Sequence, residues 1–199
     1  MTWFRKHGLP SGYGVLLEGP KVRLRPPAEV DFRAWRELRE ASRSFLLPWE
    51  PTWPSDATTQ IAYRVRLRYN AREWRSDQSY GFFIFRREDG QLVGGVTLGH
   101  VRRGVAQAAS LGYWVGAAHQ RRGYMTEALA LLIEQGFGPF GLRRIEAACL
   151  PENAASRGLL IKLGFREEGR AREYLKINGR WQDHLLFALL AGDPRRGVR

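Results

Sequence analysis

The chain has 199 residues, 44% apolar and 12% aromatic, enough for one sizeable core, so wholesale disorder is excluded. Lysine and arginine outnumber aspartate and glutamate by 32 to 20, a formal charge of +12. That balance favours anionic partners: nucleic acid, an acidic membrane surface or a phosphate-bearing cofactor. A single cysteine, Cys149, cannot form an internal disulfide, and the four histidines are scattered without metal-ligand spacing. The opening residues lack an apolar signal region, and no apolar run approaches the ~20 residues of a membrane span, so a soluble, cytoplasmic protein is expected.

In chain order, residues 1–20 are rich in Gly and Pro and read as an arm. Val22–Arg25 alternates and stops at Pro26-Pro27, a strand followed by a turn. A helix is predicted from Glu29 to about Ser44, with Val30, Trp35 and Leu38 at helical spacing. Phe45–Ser55, with three prolines and two tryptophans, reads as a rigid loop. A second helix is predicted from Thr58 to Arg75, with Ile61, Val65, Leu67 and Trp74 apolar. Strands follow at Tyr80–Arg86, Leu92–His100 and Gln107–Val115. The first two are joined by the turn at Glu88–Gln91, and Gly94-Gly95 suggests a bulge.

From Tyr124 to Phe137 the residues Met125, Ala128, Leu129, Leu132 and Ile133 fall on one helical face. Arg144–Leu150 is a buried-type strand closed by Pro151. Asn153 suits the N-cap of a helix running to about Leu163, with Gly164 at its C′ position. The end is a hairpin, Glu173–Ile177 and Arg180–Leu190 around Asn178-Gly179. This order predicts an α+β fold with one mixed, mostly antiparallel central sheet flanked by helices. Residues 21–191 form the expected single domain, and residues 192–199 a basic tail.

The stretch between Trp114 and Thr126 carries the chemistry. A strand stops, a short loop turns and an amphipathic helix begins. Amides at a helix start lack internal acceptors, and the dipole is positive there, so phosphate suits the position. Gly123 lets the main chain approach closely, and Arg121 and Arg122 add forked donors. An ordinary strand-to-helix loop with solvated arginines is the competing reading. Neither a P-loop nor a dinucleotide-binding glycine fingerprint is present.

Gln120-Arg121-Arg122-Gly123-Tyr124-Met125 resembles the Gln/Arg-x-x-Gly-x-Gly/Ala acetyl-CoA loop of the GCN5-related N-acetyltransferases. A second hallmark, Asn153-Ala154-Ala155-Ser156 followed by Leu163-Gly164-Phe165, lies at the family's interval, and the likeness spans about Val22 to Leu190. Within the family, three segments resemble the ribosomal-protein alanine N-acetyltransferases: Leu47–Pro51, Gly112–Val115 and Tyr174–His184. Met125 departs from the broad pattern, which prefers Gly or Ala there.

The resemblance implies a three-layer fold with a V-shaped splay between two central strands, and acetyl-CoA as cosubstrate without a metal. The pantetheine arm would bond main chain at Tyr113, Trp114 and Val115. The pyrophosphate would rest on the loop Gln120, Arg121, Arg122, Gly123, Tyr124, Met125 and Thr126. Asn153 would touch the pantetheine or act as a plain N-cap. The reaction is attack of a neutral amine on the thioester. An α-amino group of pKa ~8 is roughly a tenth neutral at pH 7, whereas a lysine amine at ~10.4 is far less so.

Two carboxylates are candidates for the general base: Glu173 at the last hairpin, and Glu50 in the Pro/Trp loop as base or amine-binding anion. Ser156 would protonate the leaving thiolate or serve only as a capping hydroxyl. Trp49, Trp53 and Tyr174 would line the acceptor groove together with Glu50. The acceptor implied is a protein N-terminus, alanine or serine on a ribosomal protein, and the basic surface fits ribosomal RNA nearby. The alternatives are an acetyltransferase acting on a small-molecule amine, a non-catalytic acyl-CoA-binding protein and an RNA-binding protein.

Overall fold

The computed structural model describes residues 14–194. Most of the expected N-terminal arm and the end of the expected basic tail therefore lie outside the described residues. Eight strands form one sheet: β1 (Leu17–Glu18), β2 (Val22–Arg25), β3 (Tyr80–Arg86), β4 (Leu92–Arg102), β5 (Ala108–Val115), β6 (Arg144–Cys149), β7 (Arg166–Ile177) and β8 (Arg180–Leu190). Their spatial order is β1-β2-β3-β4-β5-β6-β8-β7, and every pair is antiparallel except β5 with β6. The helices are α1 (Phe32–Ala41), α2 (Arg43–Leu46), α3 (Gln60–Arg75), α4 (Tyr124–Phe137) and α5 (Ala154–Lys162). The mixed, mostly antiparallel sheet expected from the sequence is thus present.

Both faces of the sheet are covered, which is why β3 reads as an unbroken apolar run. Tyr80, Phe82 and Ile84 enter the larger core with α4, while Phe83 and Phe85 enter a second cluster with Trp35, Tyr63 and Leu92. The predicted face of α4 is buried at all five positions, Met125, Ala128, Leu129, Leu132 and Ile133. Its first turn also holds Glu127, whose carboxylate accepts the backbone N–H groups of Lys21 (2.7 Å) and Val22 (2.9 Å) and ties α4 to β2. Asn153 caps α5 by accepting the Ser156 N–H at 3.0 Å, and Gly164 takes the left-handed conformation just beyond its end.

Several expectations are corrected. The expected helix from Glu29 begins as a single 3₁₀ turn, and Val30 projects into solvent, 84% exposed. The Pro/Trp segment is partly helical: Phe45 and Leu46 belong to α2, and Leu47–Trp49 forms a 3₁₀ turn. Pro48 is tolerated because an N–H in the first turn has no acceptor within the helix, so its absence costs nothing. In α3 the buried side chains are Tyr63, Ala71 and Trp74, whereas Ile61 and Val65 are exposed. Tyr63 sets that rotation by packing on Trp35, with ring centroids 4.8 Å apart, and donating to the Ala28 carbonyl at 2.7 Å.

The irregularity near Gly94-Gly95 leaves Val93 as the extra residue, between the pairs Ile84–Gly94 and Phe85–Leu92. The glycines themselves serve close packing on β5: a Cβ at Gly94 would stand 2.4 Å from the Trp114 carbonyl oxygen. β7 starts at Arg166, well before the expected Glu173, and the residues added are largely solvent-facing. Without a buried face it carries no alternation of apolar and polar residues, and pairing with β8 alone defines it. The short β1 lies where only arm was expected.

Candidate active site

The parallel pairing of β5 with β6 runs only from Ala108–Arg144 to Leu111–Ala147. Beyond it, Gly112–Val115 pairs only with β4, while Ala148 and Cys149 of β6 pair only with β8. The two strands therefore fork, and alternate main-chain groups of Gly112–Val115 point into the opening. Tyr113 lies on one prong and Ser156 on the helix that follows the other. Their hydroxyls are hydrogen-bonded at 2.7 Å. Burial pushes the Tyr113 phenol up to about 12, so it stays protonated at any working pH. Burial likewise raises the Cys149 thiol, beside the same serine. Cys149 thus has the environment of an inert core thiol.

At the mouth of the fork lies the loop to α4. Ala117–His119 makes one 3₁₀ turn, and Gln120 folds its side-chain amide back to the Ala117 carbonyl at 3.0 Å. Arg121 (φ 56°) and Gly123 (φ 82°) both adopt left-handed conformations on either side of Arg122. Left-handed residues in such a turn can bring successive N–H groups toward one point, the geometry of a backbone nest. Gly123 supplies no capping side chain, and Glu127 is the first residue whose N–H bonds back to it, at 3.1 Å. The amides of Tyr124, Met125 and Thr126 thus lack helical acceptors. Met125 sends its side chain into the core, so the departure from Gly or Ala leaves its amide unobstructed on that side. Arg121 and Arg122 are solvent-exposed at the loop surface.

A second group of predicted residues gathers around a side chain the sequence reading passed over. Arg39 of α1 donates to both oxygens of Glu50, at 2.8 and 2.6 Å. Trp53 Nε1 donates to the same carboxylate at 2.7 Å. The Arg39 guanidinium lies against two indoles, 4.1 Å from the Trp53 ring centroid and 4.8 Å from that of Trp114. Trp49 stands at the surface of the same loop. The tip of the β7–β8 hairpin is fastened here, because the Asn178 N–H donates to the Glu50 carbonyl at 2.9 Å.

Glu173 lies in an irregular part of β7, where the register slips between Ala171–His184 and Leu175–Gln182. Its φ of 45° is unusual for a side chain of this size. Its N–H is held by Asp183 Oδ1 at 2.9 Å, and that bond is the main reason the Asp183 carboxyl titrates below its usual range. The Glu173 side chain is exposed and forms no ion pair among the described residues. Tyr174 is also half-exposed and meets the His184 ring edge-on at 5.7 Å.

The structure therefore joins Tyr113, Asn153 and Ser156 at the fork, and Trp53, Glu50 and Trp114 through Arg39. Arg39, Asp183 and the hydroxyl of Tyr113 were missed as site groups. Arg39 and Asp183 sit among ordinary charged residues, and no local spacing marks them. Among the described residues no group of three or more His, Cys, Asp or Glu could hold a metal ion, and no helix is long and apolar enough to cross a membrane.

Comparison with known proteins agrees with this geometry. The profile of the Acetyltransferase (GNAT) domain matches residues 21–166. A probable N-acetyltransferase of Bacillus subtilis, YjcK, is 35% identical over 181 residues, covering 91% of this chain and all of that protein. The [ribosomal protein uS5]-alanine N-acetyltransferase of Escherichia coli is 34% identical over 188 residues, covering 91% of this chain and 97% of that protein. Among solved structures, Mycobacterium smegmatis RimJ in complex with CoA-disulfide superposes with a TM-score of 0.82 at 36% identity, covering 89% of this chain and 87% of that one. A forked sheet, an uncapped helix start at its mouth and these likenesses agree: the chain belongs to the GNAT family of N-acetyltransferases.

Proposed function

We propose that this acetyltransferase moves the acetyl group of acetyl-CoA onto the N-terminal α-amine of a ribosomal protein, with alanine or serine as its first residue. The carrying observation is the fork between β5 and β6, open beside Gly112–Val115 and ending on the uncapped amides of α4. These residues fit the cosubstrate: an extended arm pairs with the strand edge, and a diphosphate suits the nest from Arg121 to Thr126. Similarity to ribosomal-protein N-acetyltransferases across nearly the whole chain supports the acceptor class.

Glu173 is the general base in this reading, because its carboxylate is unpaired, whereas both oxygens of Glu50 are engaged by Arg39 and Trp53. Glu50 then shapes the acceptor wall with Trp49, Trp53 and Tyr174. The neutral amine attacks the thioester carbonyl and gives up its proton to Glu173. The C–S bond breaks as the intermediate collapses, and Ser156 donates a proton to the departing sulfur. The Tyr113 hydroxyl orients Ser156 through their hydrogen bond, and solvent restores the serine's proton. Main-chain N–H groups near Val115 stabilise the oxyanion.

The test is acetyl transfer by purified protein to synthetic peptides beginning with Ala, Ser, Met or Lys, beside polyamines and aminoglycosides. Mass spectrometry of protein N-termini from deletion and complemented cells accompanies it. Acetylated Ala or Ser peptides and a ribosomal N-terminus that loses its acetyl group on deletion are expected. Turnover of a small amine with unchanged protein N-termini would overturn the acceptor assignment.

A further inference from the structure

The loop at the mouth of the fork adjoins a basic cavity that no residue of the acetyl-transfer chemistry occupies. β2 pairs Val22 with Arg86, and β4 pairs Gly94 with Val115, so three connections meet at one end of the sheet. They are the β1–β2 turn, the β3–β4 turn and the loop into α4. Between them opens a cavity of about 730 Å³, lined by Lys21, Arg86, Arg87 and Arg122 together with Pro20, Glu88 and Tyr124. Arg86 is neutralised by Asp89, and Arg87 donates to the Gly19 carbonyl at 3.1 Å. Lys21 and Arg122 are exposed and make no ion pair among the described residues. The cavity thus holds a surplus of positive charge over its one lining carboxylate, Glu88.

Lys21 is placed, not merely present. Glu127 grips its backbone N–H at 2.7 Å from inside α4. Its ammonium lies 3.6 Å from the point a Cβ of Gly123 would occupy, on the flank of the amide nest. Arg122 and Tyr124 belong to both the nest and the cavity wall. A ligand anchored by a diphosphate on the nest can therefore reach the cavity with a second anionic group. Coenzyme A presents such a pair, a diphosphate and a phosphomonoester on the 3′-oxygen of the same ribose. The cavity is large enough to hold a phosphorylated ribose and more.

Resting on the acetyl-CoA reading above, we propose that this cavity binds the 3′-phosphate of the cosubstrate and that Lys21 is the residue distinguishing it from a dephosphorylated analogue. Its ammonium sits where a phosphate dianion would accept a charge-assisted hydrogen bond.

Calorimetric titration of wild type, Lys21→Ala and Lys21→Arg with coenzyme A and with dephospho-coenzyme A tests this at low and at high salt. Wild type should prefer coenzyme A by about tenfold or more. Lys21→Ala should lose most of that preference through weaker binding of coenzyme A, and Lys21→Arg should keep it. The preference should shrink as salt rises. Equal affinity of wild type for the two ligands would overturn the inference, as would a Lys21→Ala variant weakened equally toward both, while leaving the acetyltransferase reading intact. Failure of wild type to bind either ligand would overturn both.

Discussion

The N–H of Glu173 donates to Asp183 Oδ1 across the β7–β8 pair, fixing a left-handed glutamate where a regular strand would run straight. Arg170 holds the other Asp183 oxygen at 2.9 Å, so the acceptor is itself braced. Such a conformation costs about 1–3 kcal/mol and persists only where its surroundings impose it. Asp183 is therefore a positioning residue for the proposed base. Asp183→Ala should lower kcat about tenfold while KM for acetyl-CoA stays constant, and Asp183→Asn, which keeps an acceptor oxygen, should recover most of the rate. Steady-state kinetics with an N-terminal alanine peptide would decide it.

Removing the base directly should cost more. Glu173→Gln is expected to reduce kcat by about 10²–10⁴ without changing cofactor affinity. Glu50→Gln should instead act on acceptor KM, since the Glu50 carboxylate is engaged by Arg39 and Trp53. Full activity of Glu173→Gln with loss of activity in Glu50→Gln would reverse the two roles.

The Arg39–Glu50 pair, with side chains 11% and 20% exposed, is shielded enough that breaking one side strands the other. Arg39→Ala should destabilise the fold by about 3–5 kcal/mol, because the carboxylate is left uncompensated and two indoles lose their shared cation. Urea unfolding measures this. A loss below about 1 kcal/mol would mean that solvent screens the pair as it does surface ion pairs.

Gly123 combines a φ of 82° with the proposed diphosphate contact. Gly123→Val should cost about 1–3 kcal/mol of stability through backbone strain. It should also weaken coenzyme A binding measurably in a titration. Retained affinity in a folded Gly123→Val protein would place the diphosphate elsewhere.

His119, buried beneath the same loop, has a pKa lowered below 6.5 by burial and then by the cations Arg86 and Arg122, and its Nδ1 has no hydrogen-bond partner. The folded protein keeps this ring neutral as pH falls through 6.5, whereas the unfolded chain takes up a proton. Stability should therefore decline from pH 6.5 downward until the folded-state pKa is reached. Urea midpoints between pH 7.5 and 5.5 should show this slope in wild type and a shallower one in His119→Asn.

Much of the fold was legible because its signals are local. The apolar face of α4, the Asn153 cap, the Asn178-Gly179 turn and the breaks at Gly123 and Gly164 each arise from residues a few positions apart, where backbone sterics and helical period dictate the outcome. The loop amides of the candidate site belong to this class, since a strand stopping at Val115 and a helix starting at Tyr124 place them without outside help. Only the Glu173–Ile177 part of β7 was legible, because the stretch from Arg166 to Arg172 is almost wholly exposed and has no core face to impose a pattern.

By itself, then, the chain's order of residues determined where the loop into α4 would form and which helix faces would seek the core. Only the tertiary structure decided that Tyr113 meets Ser156, Arg39 meets Glu50, Asp183 holds Glu173 and Lys21 flanks Gly123. Each of those pairs joins residues on different elements, and a side chain's partner across such a gap is set by sheet register and packing rather than by anything in its own neighbourhood.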